Sequence, residues 1–512
     1  MMKKLLVSLL SALLCMTVAA KSRSNGNTEQ NNPDNNSITI DKNGDVFVSP
    51  LWFHISDEGT AEVIWNRSYK NMESVVIPSE IKIAGHVYPV TSIEKYAFLG
   101  CKSLTNVKIS SGLKSIGDGA FSFCKGLTSI NIPSSVTNIG KLAFLECECL
   151  TSIKIPSSVT NIGSSAFLHC KGLTSINVSR DNKFYSSDKG ILYDKNKTTL
   201  ICIPEGKNGS IVIPSSVTHI NSFAFNNCRE LTSINVSRDN SNYSSEDGIL
   251  YDKNKTALIC APKGKKGNIK IPSGVTSIEK EAFSYCRYVT NIKIPFGVTS
   301  IGEWAFRCCG LTTIEIPSSV TSIGECAFWV CTDLTSIDIP SSVTSIGEQA
   351  FSSCNGLTSI NIPSSVTSIG NEAFNDCIVL TNINVSRDNM YYSSEEGILY
   401  DKNKTTLICT PGGRNGSIKI PSGVTRIGEN AFSGCWRLTN ISIPSSVTSI
   451  GSSAFRGCRS LTNIDLPSGV TSIGKNAFYG CENLEIVIDN SKENVIVEEN
   501  TFEGCKSVKY LK

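Results

Sequence analysis

Fourteen cysteines, from Cys101 to Cys505, each stand three residues after a phenylalanine. Thiols at that density could hold a metal, form disulfides or act as nucleophiles. A metal site needs clustered ligands, but the chain has no C-x-x-C pair and only four histidines, His54, His86, His169 and His219. No H-E-x-x-H, phosphate-binding glycine loop or G-x-S-x-G occurs. "DKNGD" at 41–45 resembles the opening of a calcium loop but lacks the glycine and closing glutamate where such a loop needs them, so it reads as an Asn-Gly turn. No acid, base and nucleophile come together; neither enzyme activity nor a cofactor is expected.

Whether the thiols can pair depends on the elements that place them. Ala-Phe pairs put Phe98, Phe121, Phe144, Phe167, Phe225, Phe283, Phe306, Phe328, Phe351, Phe374, Phe432, Phe455 and Phe478 at spacings of 23 or 58 with one of 22, and Thr501-Phe502 follows after 24. A fixed period of this length marks a solenoid, in which each unit stacks only on its neighbours. In residues 127–147, "LTSINIPSSVTNIGKLAFLEC", Ile130 and Ile132 alternate around Asn131 as a short strand, and Pro133 ends it. Val136 and Ile139 start a second extended side, Gly140 permits a turn, and Ala143, Phe144 and Cys147 close the coil. One coil cannot bury those side chains alone; stacked copies can. Stacking would put successive cysteines ~4.8 Å apart with parallel Cβ vectors. A disulfide wants Cβ atoms about 3.5–4.5 Å apart, so the ladder reads as buried free thiols. Cys202, Cys260 and Cys409 recur with the long spacings, while Cys149, Cys308 and Cys326 break the pattern, and Cys308 and Cys326 on adjacent coils could pair.

The consensus L-T-S-I-x-I-P-S-S-V-T-S-I-G-x-x-A-F-x-x-C resembles the BspA-like leucine-rich repeats of bacterial surface proteins over roughly residues 75–505. The general leucine-rich signature is kept at the start of each unit, with Pro-Ser-Ser-Val where Asn/Cys-x-L usually follows. The resemblance implies a curved, right-handed α/β solenoid with one parallel sheet. The expected chain is strand-rich with little helix, about 14 coils and three inserts, near 177–211, 235–269 and 384–418. Each insert carries the same phrase, "GILYDKNKTTLIC" or "GILYDKNKTALIC", which reads as a hairpin with a polar turn, either an extra coil or a flap. The solenoid is expected over 75–484, with 38–74 as a strand-rich N-terminal cap and 485–512 as a final coil and cap.

Residues 1–20 read as a signal peptide, with Lys3 and Lys4 before a short apolar run and Val18-Ala19-Ala20 at the cleavage site. Cys15 offers an alternative lipid-anchored start, though Leu14 precedes it. The Asn/Ser-rich segment 21–37 reads as a disordered linker. No transmembrane anchor is expected, and the protein is placed outside the cell or on its surface. A net charge of +3, about +1 without Lys3 and Lys4, gives no reason to expect nucleic acid, and "PKGKKGNIK" at 262–270 reads as an exposed turn.

Function is therefore sought on surfaces. Outward strand positions are mostly Thr, Ser, Asn and Lys, poor in the Trp, Tyr and Arg that anchor interfaces. One stretch differs: Tyr285, Arg287, Tyr288, Trp304, Arg307 and Trp329 occupy variable positions of three successive coils, beside the one-residue deletion at Cys309-Gly310-Leu311. These six are a candidate partner-binding patch, or else rings folded over the coil edge to cover the deletion. The leading reading is a non-enzymatic, exported binding protein. Resemblance to BspA-like proteins implies adhesion to matrix or cell-surface proteins. The alternatives are an architectural coat protein and a carbohydrate-binding accessory protein, glycans being the less favoured partner.

Overall fold

The computed structural model describes residues 38–512. The expected signal peptide and linker, and the alternative of a lipid-anchored start at Cys15, lie outside the described residues. The chain divides into two compact units, one running to residue 208 and including 216–230, the other comprising 209–215 and 231–512. Each is a strand-rich solenoid of stacked coils, and the only helical turns among the described residues are 3-10, at Arg67–Asn71 and Lys492–Asn494.

In the first unit the coil around Phe144 shows the building rule. Ser129–Asn131 pairs in parallel with Asn106–Ile109, so that Ile130 lies beside Val107. Asn138–Ile139 pairs in parallel with both Ser115–Ile116 and Asn161–Ile162. The coils thus carry two parallel ladders, where the resemblance implies one sheet. A third column joins the Ala-Phe bends: Gly119 N donates to Lys141 O at 2.8 Å, and Phe121 N donates to Ala143 O at 2.8 Å. Every bend but that of Phe225 turns through left-handed residues two positions before and after its phenylalanine, such as Leu142 (φ 54°) and Glu146 (φ 56°). Val330 (φ 59°) holds that conformation despite its branched Cβ, a strained choice. On the first ladder threonine hydroxyls cross-link the coils, Thr128 Oγ1 donating to Thr105 O at 3.1 Å and Thr335 Oγ1 to Thr312 O at 3.2 Å.

Inside, the phenylalanines stack. Tyr69, Phe98, Phe121, Phe144 and Phe167 form one column with centroids 5.2–5.8 Å apart. In the second unit Phe283 to Phe374 and Phe432 to Phe502 form two more. All twenty cysteines among the described residues are free thiols. Those of the ladder do more than fill space: Cys147 Sγ donates to Phe121 O at 3.2 Å and Cys354 Sγ to Phe328 O at 3.2 Å, each a coil away. Cys308 and Cys326 do not pair; Cys326 Sγ faces Gln349 Oε1 at 3.6 Å.

The repeat glycine has a different task from the one its sequence position suggests. Gly140 does not have a positive φ. A Cβ there would lie 2.5 Å from Asp118 N and Gly117 C, and at Gly163 2.3 Å from Lys141 N. The preceding coil's backbone passes where a side chain would be, so close approach selects glycine.

Each insert is both a hairpin and an irregular coil. Tyr185–Asp188 pairs antiparallel with Ile191–Asp194, which pairs antiparallel with Thr199–Cys202. Thr199–Cys202 then pairs in parallel with His219–Ile220, taking a place in the second ladder. Fully buried Asn182 pins the loop, donating to Pro156 O (2.8 Å) and Val159 O (2.9 Å) and accepting from Phe184 N and Tyr185 N at 2.8 Å each. Asn389 makes the same four bonds in the third insert.

At the amino end β1 (Ile38–Ile40), β2 (Val46–Val48), β3 (Leu51–Ile55) and β4 (Ala61–Val63) form an antiparallel meander, and β4 pairs in parallel with His86–Ile93. The "DKNGD" stretch is the turn between β1 and β2, with Asp41 Oδ1 accepting from Asn43 N at 2.8 Å. Tyr69 Oη accepts from Trp52 N at 2.6 Å. Segment 38–74 therefore supplies an outer strand to the second ladder and the first ring to the stack. At the other end Ser507–Tyr510 pairs in parallel with Glu485–Ile488, adding one more coil.

Candidate functional site

The bends of three successive coils in the second unit assemble the aromatic-arginine stretch. Tyr285 N donates to Arg307 O at 2.7 Å and Cys308 N donates to Trp329 O at 2.8 Å, so residues 21 or 22 apart in sequence become neighbours. The Arg307 guanidinium lies 5.1 Å from the Tyr285 ring centroid, 5.0 Å from Trp304 and 4.6 Å from Trp329. A cation flanked by three ring faces is held by their quadrupoles, and partial desolvation strengthens the attraction. Arg307 Nε is buried with no hydrogen-bond partner, so the rings are its main company. Tyr285, Trp304 and Trp329 are half-buried. Lys280 Nζ sits 5.0 Å from the Trp304 ring while pairing with Glu303 Oε1 at 2.8 Å.

The other two candidates lie at the margin of this cluster. Arg287 reaches the Tyr285 ring at 6.0 Å and is exposed. Tyr288 opens a different element, the strand Tyr288–Lys293, where it is 53% exposed and lies under Lys266 at 5.3 Å. Here the sequence reading of 262–270 as an exposed turn is corrected. Lys266–Lys270 is a strand in register with Tyr288–Lys293, and Lys263 stands 5.3 Å over the Tyr285 ring. Lysines that have no aromatic beside them in sequence acquire two through stacking. The signal available was the 22–23-residue offset itself, since Lys263 and Lys266 fall one period before Tyr285 and Tyr288.

The deletion is accommodated by Gly310, where a Cβ would lie 2.0 Å from Arg287 O. Burial raises the Cys308 thiol above its ordinary range against the lowering effect of Arg307, and burial likewise raises Cys326. The cluster is thus a cation–aromatic surface bordered by Lys263, Lys266, Lys280 and Arg287.

A family model for the BspA type leucine rich repeat region matches six copies, over residues 67–189, 205–257, 261–389 and 414–512. The chain belongs to the BspA-type leucine-rich repeat family. A leucine rich cell surface protein from Faecalibacterium prausnitzii has a similar structure, with 31% identity, coverage of 67% of this chain and 96% of that one, and a TM-score of 0.50. A leucine-rich repeat protein from Bacteroides ovatus covers 91% of this chain and 99% of its own at 23% identity, with a TM-score of 0.30. The pneumococcal vaccine antigen PcpA covers 93% and 99% at 17% identity, with a TM-score of 0.39. No curated protein matches the sequence significantly. Among the described residues, no helix is long and apolar enough to cross a membrane.

Proposed function

We propose that this chain is an exported bacterial surface protein of adhesin type, non-enzymatic, which binds proteins of host or neighbouring cells through the cluster around Arg307. Export rests on the signal-like residues 1–20, and a surface location is supported by the name of the Faecalibacterium relative. The observation that carries the binding reading is the convergence of Arg307 with three rings, bordered by exposed Tyr288 and Arg287. Aromatic and arginine side chains dominate interface energetics, and elsewhere the outward threonines are tied to neighbouring coils.

Purified residues 21–512 are tested on an array of matrix and cell-surface proteins beside an Arg287→Ala/Tyr288→Ala variant, both positions being exposed. Binding to a protein that the variant loses supports the adhesin reading. Silence of a folded sample would favour an architectural coat protein, a reading that the threonine cross-links also suit, since they turn the strand face into internal structure.

A further inference from the structure

In the first unit the ring column ends at Phe167, and the insert strand Thr199–Cys202 enters before the next bend. Phe225, the next phenylalanine of the repeat, is only half-buried, and the Ile162 N–H is taken up by Tyr185 Oη at 3.0 Å. The stacking is opened here, and a cavity of about 330 Å³ results. One wall is apolar, with Phe167, Leu192, Ile201 and Cys202. The other carries Glu205, His169, His219 and Asn226, and Phe223, 62% exposed, stands at the rim. Glu205 is 9% exposed, and His169 Nδ1 is 2.7 Å from Asn227 Nδ2 and 3.8 Å from Glu205 Oε2.

The three inserts provide an internal comparison. The apolar wall is repeated, as Leu192, Leu250 and Leu399 and as Cys202, Cys260 and Cys409. The polar lining is not. Glu205, His219 and Phe223 become Lys263, Ser277 and Glu281 at the second insert, and Gly412, Arg426 and Asn430 at the third. A cavity at the third insert keeps Leu399 and Cys409 but is lined by Arg426, Glu372 and Glu429, with no histidine and no exposed ring. Stacking explains the repeated wall and does not require the combination of buried Glu205, imidazole and exposed phenyl ring that the first insert brings together.

We infer that the first-insert cavity is a binding site for one neutral sugar residue, such as the terminal hexose or N-acetylhexosamine of a glycan. An exposed phenyl ring offers a platform for the C–H face of a pyranose, while a carboxylate, imidazole and amide supply acceptors and donors for its hydroxyls. The cavity is at the small end for ligand sites, which fits a single ring. No lysine or arginine lines the cavity to pair with an anionic sugar, so sialic and uronic acids are disfavoured.

The full chain is titrated with glucose, galactose, mannose, N-acetylglucosamine and N-acetylgalactosamine, with N-acetylneuraminic and glucuronic acids as anionic probes, followed by saturation-transfer NMR and calorimetry. Saturable binding of at least one neutral sugar is expected at millimolar concentration. Phe223→Ala, at an exposed position that should not affect folding, weakens it about tenfold or more, Glu205→Gln does the same, and Asn430→Ala at the third insert leaves it unchanged. Absence of saturable binding by every neutral sugar overturns the inference, as does binding that survives Phe223→Ala or prefers the anionic probes. The protein array of the preceding section reads a different unit of the chain, so either result stands without the other.

Discussion

Raising the pH from 7.5 to 9.5 should destabilise this protein, although no exposed charge is at stake. Burial pushes the Cys147, Cys377 and Cys481 thiols up to about 12, and raises Cys331 and Cys354 as well. In the unfolded chain a thiol ionises near about 8.5, so above that value the unfolded state binds fewer protons and stability falls with rising pH, until the folded thiols themselves ionise near 12. Below about 8.5 the contribution is fully retained. Between pH 7.5 and 9.5 each buried thiol costs about 1.4 kcal/mol. A segment of three coils, the fewest that such stacking supports, loses roughly 4 kcal/mol, a large part of a typical domain's stability. Urea unfolding in reductant, followed by far-ultraviolet circular dichroism at pH 7.5, 8.5 and 9.5, should show midpoints falling progressively. The triple variant Cys331→Ala/Cys354→Ala/Cys377→Ala should show a shallower fall. Equal midpoints at pH 7.5 and 9.5 would refute the reasoning, because tyrosine and lysine ionise at or above about 10 and cannot compensate inside that window.

Asn182→Ala removes four hydrogen bonds at a fully buried position and strands two carbonyls and two N–H groups; a loss of about 3–4 kcal/mol is expected, and a urea midpoint within experimental error of the parent's would contradict the pinning role. Gly347→Ala puts a Cβ 2.5 Å from Glu325 N and should cost about 3 kcal/mol or more, whereas Glu279→Ala at the same repeat position, exposed after an insert, should stay within about 0.5 kcal/mol. Deleting 38–74 uncovers the strand His86–Ile93 and the Phe98 ring, so the truncated protein should aggregate; a monomer with an unchanged melting curve on light scattering and calorimetry would show that the meander is dispensable.

What was legible in the sequence was whatever repeats within one coil. The Ile130/Ile132 alternation, the stop at Pro133 and the burial of Ala143, Phe144 and Cys147 all follow from side-chain periodicity, and the structure keeps each. Contacts between coils were less legible, because they depend on how copies stack. The glycine at 140 looks like a turn residue in one dimension and is a close-approach residue in three. Cysteine reads as a small apolar filler until the phenylalanine carbonyl of the coil before it comes within 3.2 Å of Sγ. Lys263 and Lys266 read as a bland basic run, and become part of the candidate site only when the next coil slides Tyr285 and Tyr288 beneath them. Of the six patch residues named from sequence, four converge and two lie at the margin: the four stand within two residues of a bend phenylalanine, whereas Arg287 and Tyr288 follow the cysteine that closes the bend.

Regular coils leave little chemistry free, since their bends, threonines and thiols already bond to the neighbouring coil. New chemistry can arise where the register is interrupted, because there a group prepared for a neighbour meets something else. At the deletion the backbone is drawn in until only glycine fits beside Arg287 O, and the ring faces around Arg307 are gathered at the surface. At the first insert the opposite happens: a strand is added, the ring column stops at Phe167, and a cavity opens that the rest of the first unit's stack does not need. Both sites follow from the same constraint. A stacked repeat can be shortened or lengthened locally without disturbing distant coils, since each coil contacts only its neighbours. That independence lets a chain of near-identical units acquire two chemically different surfaces while the coils on either side keep their register.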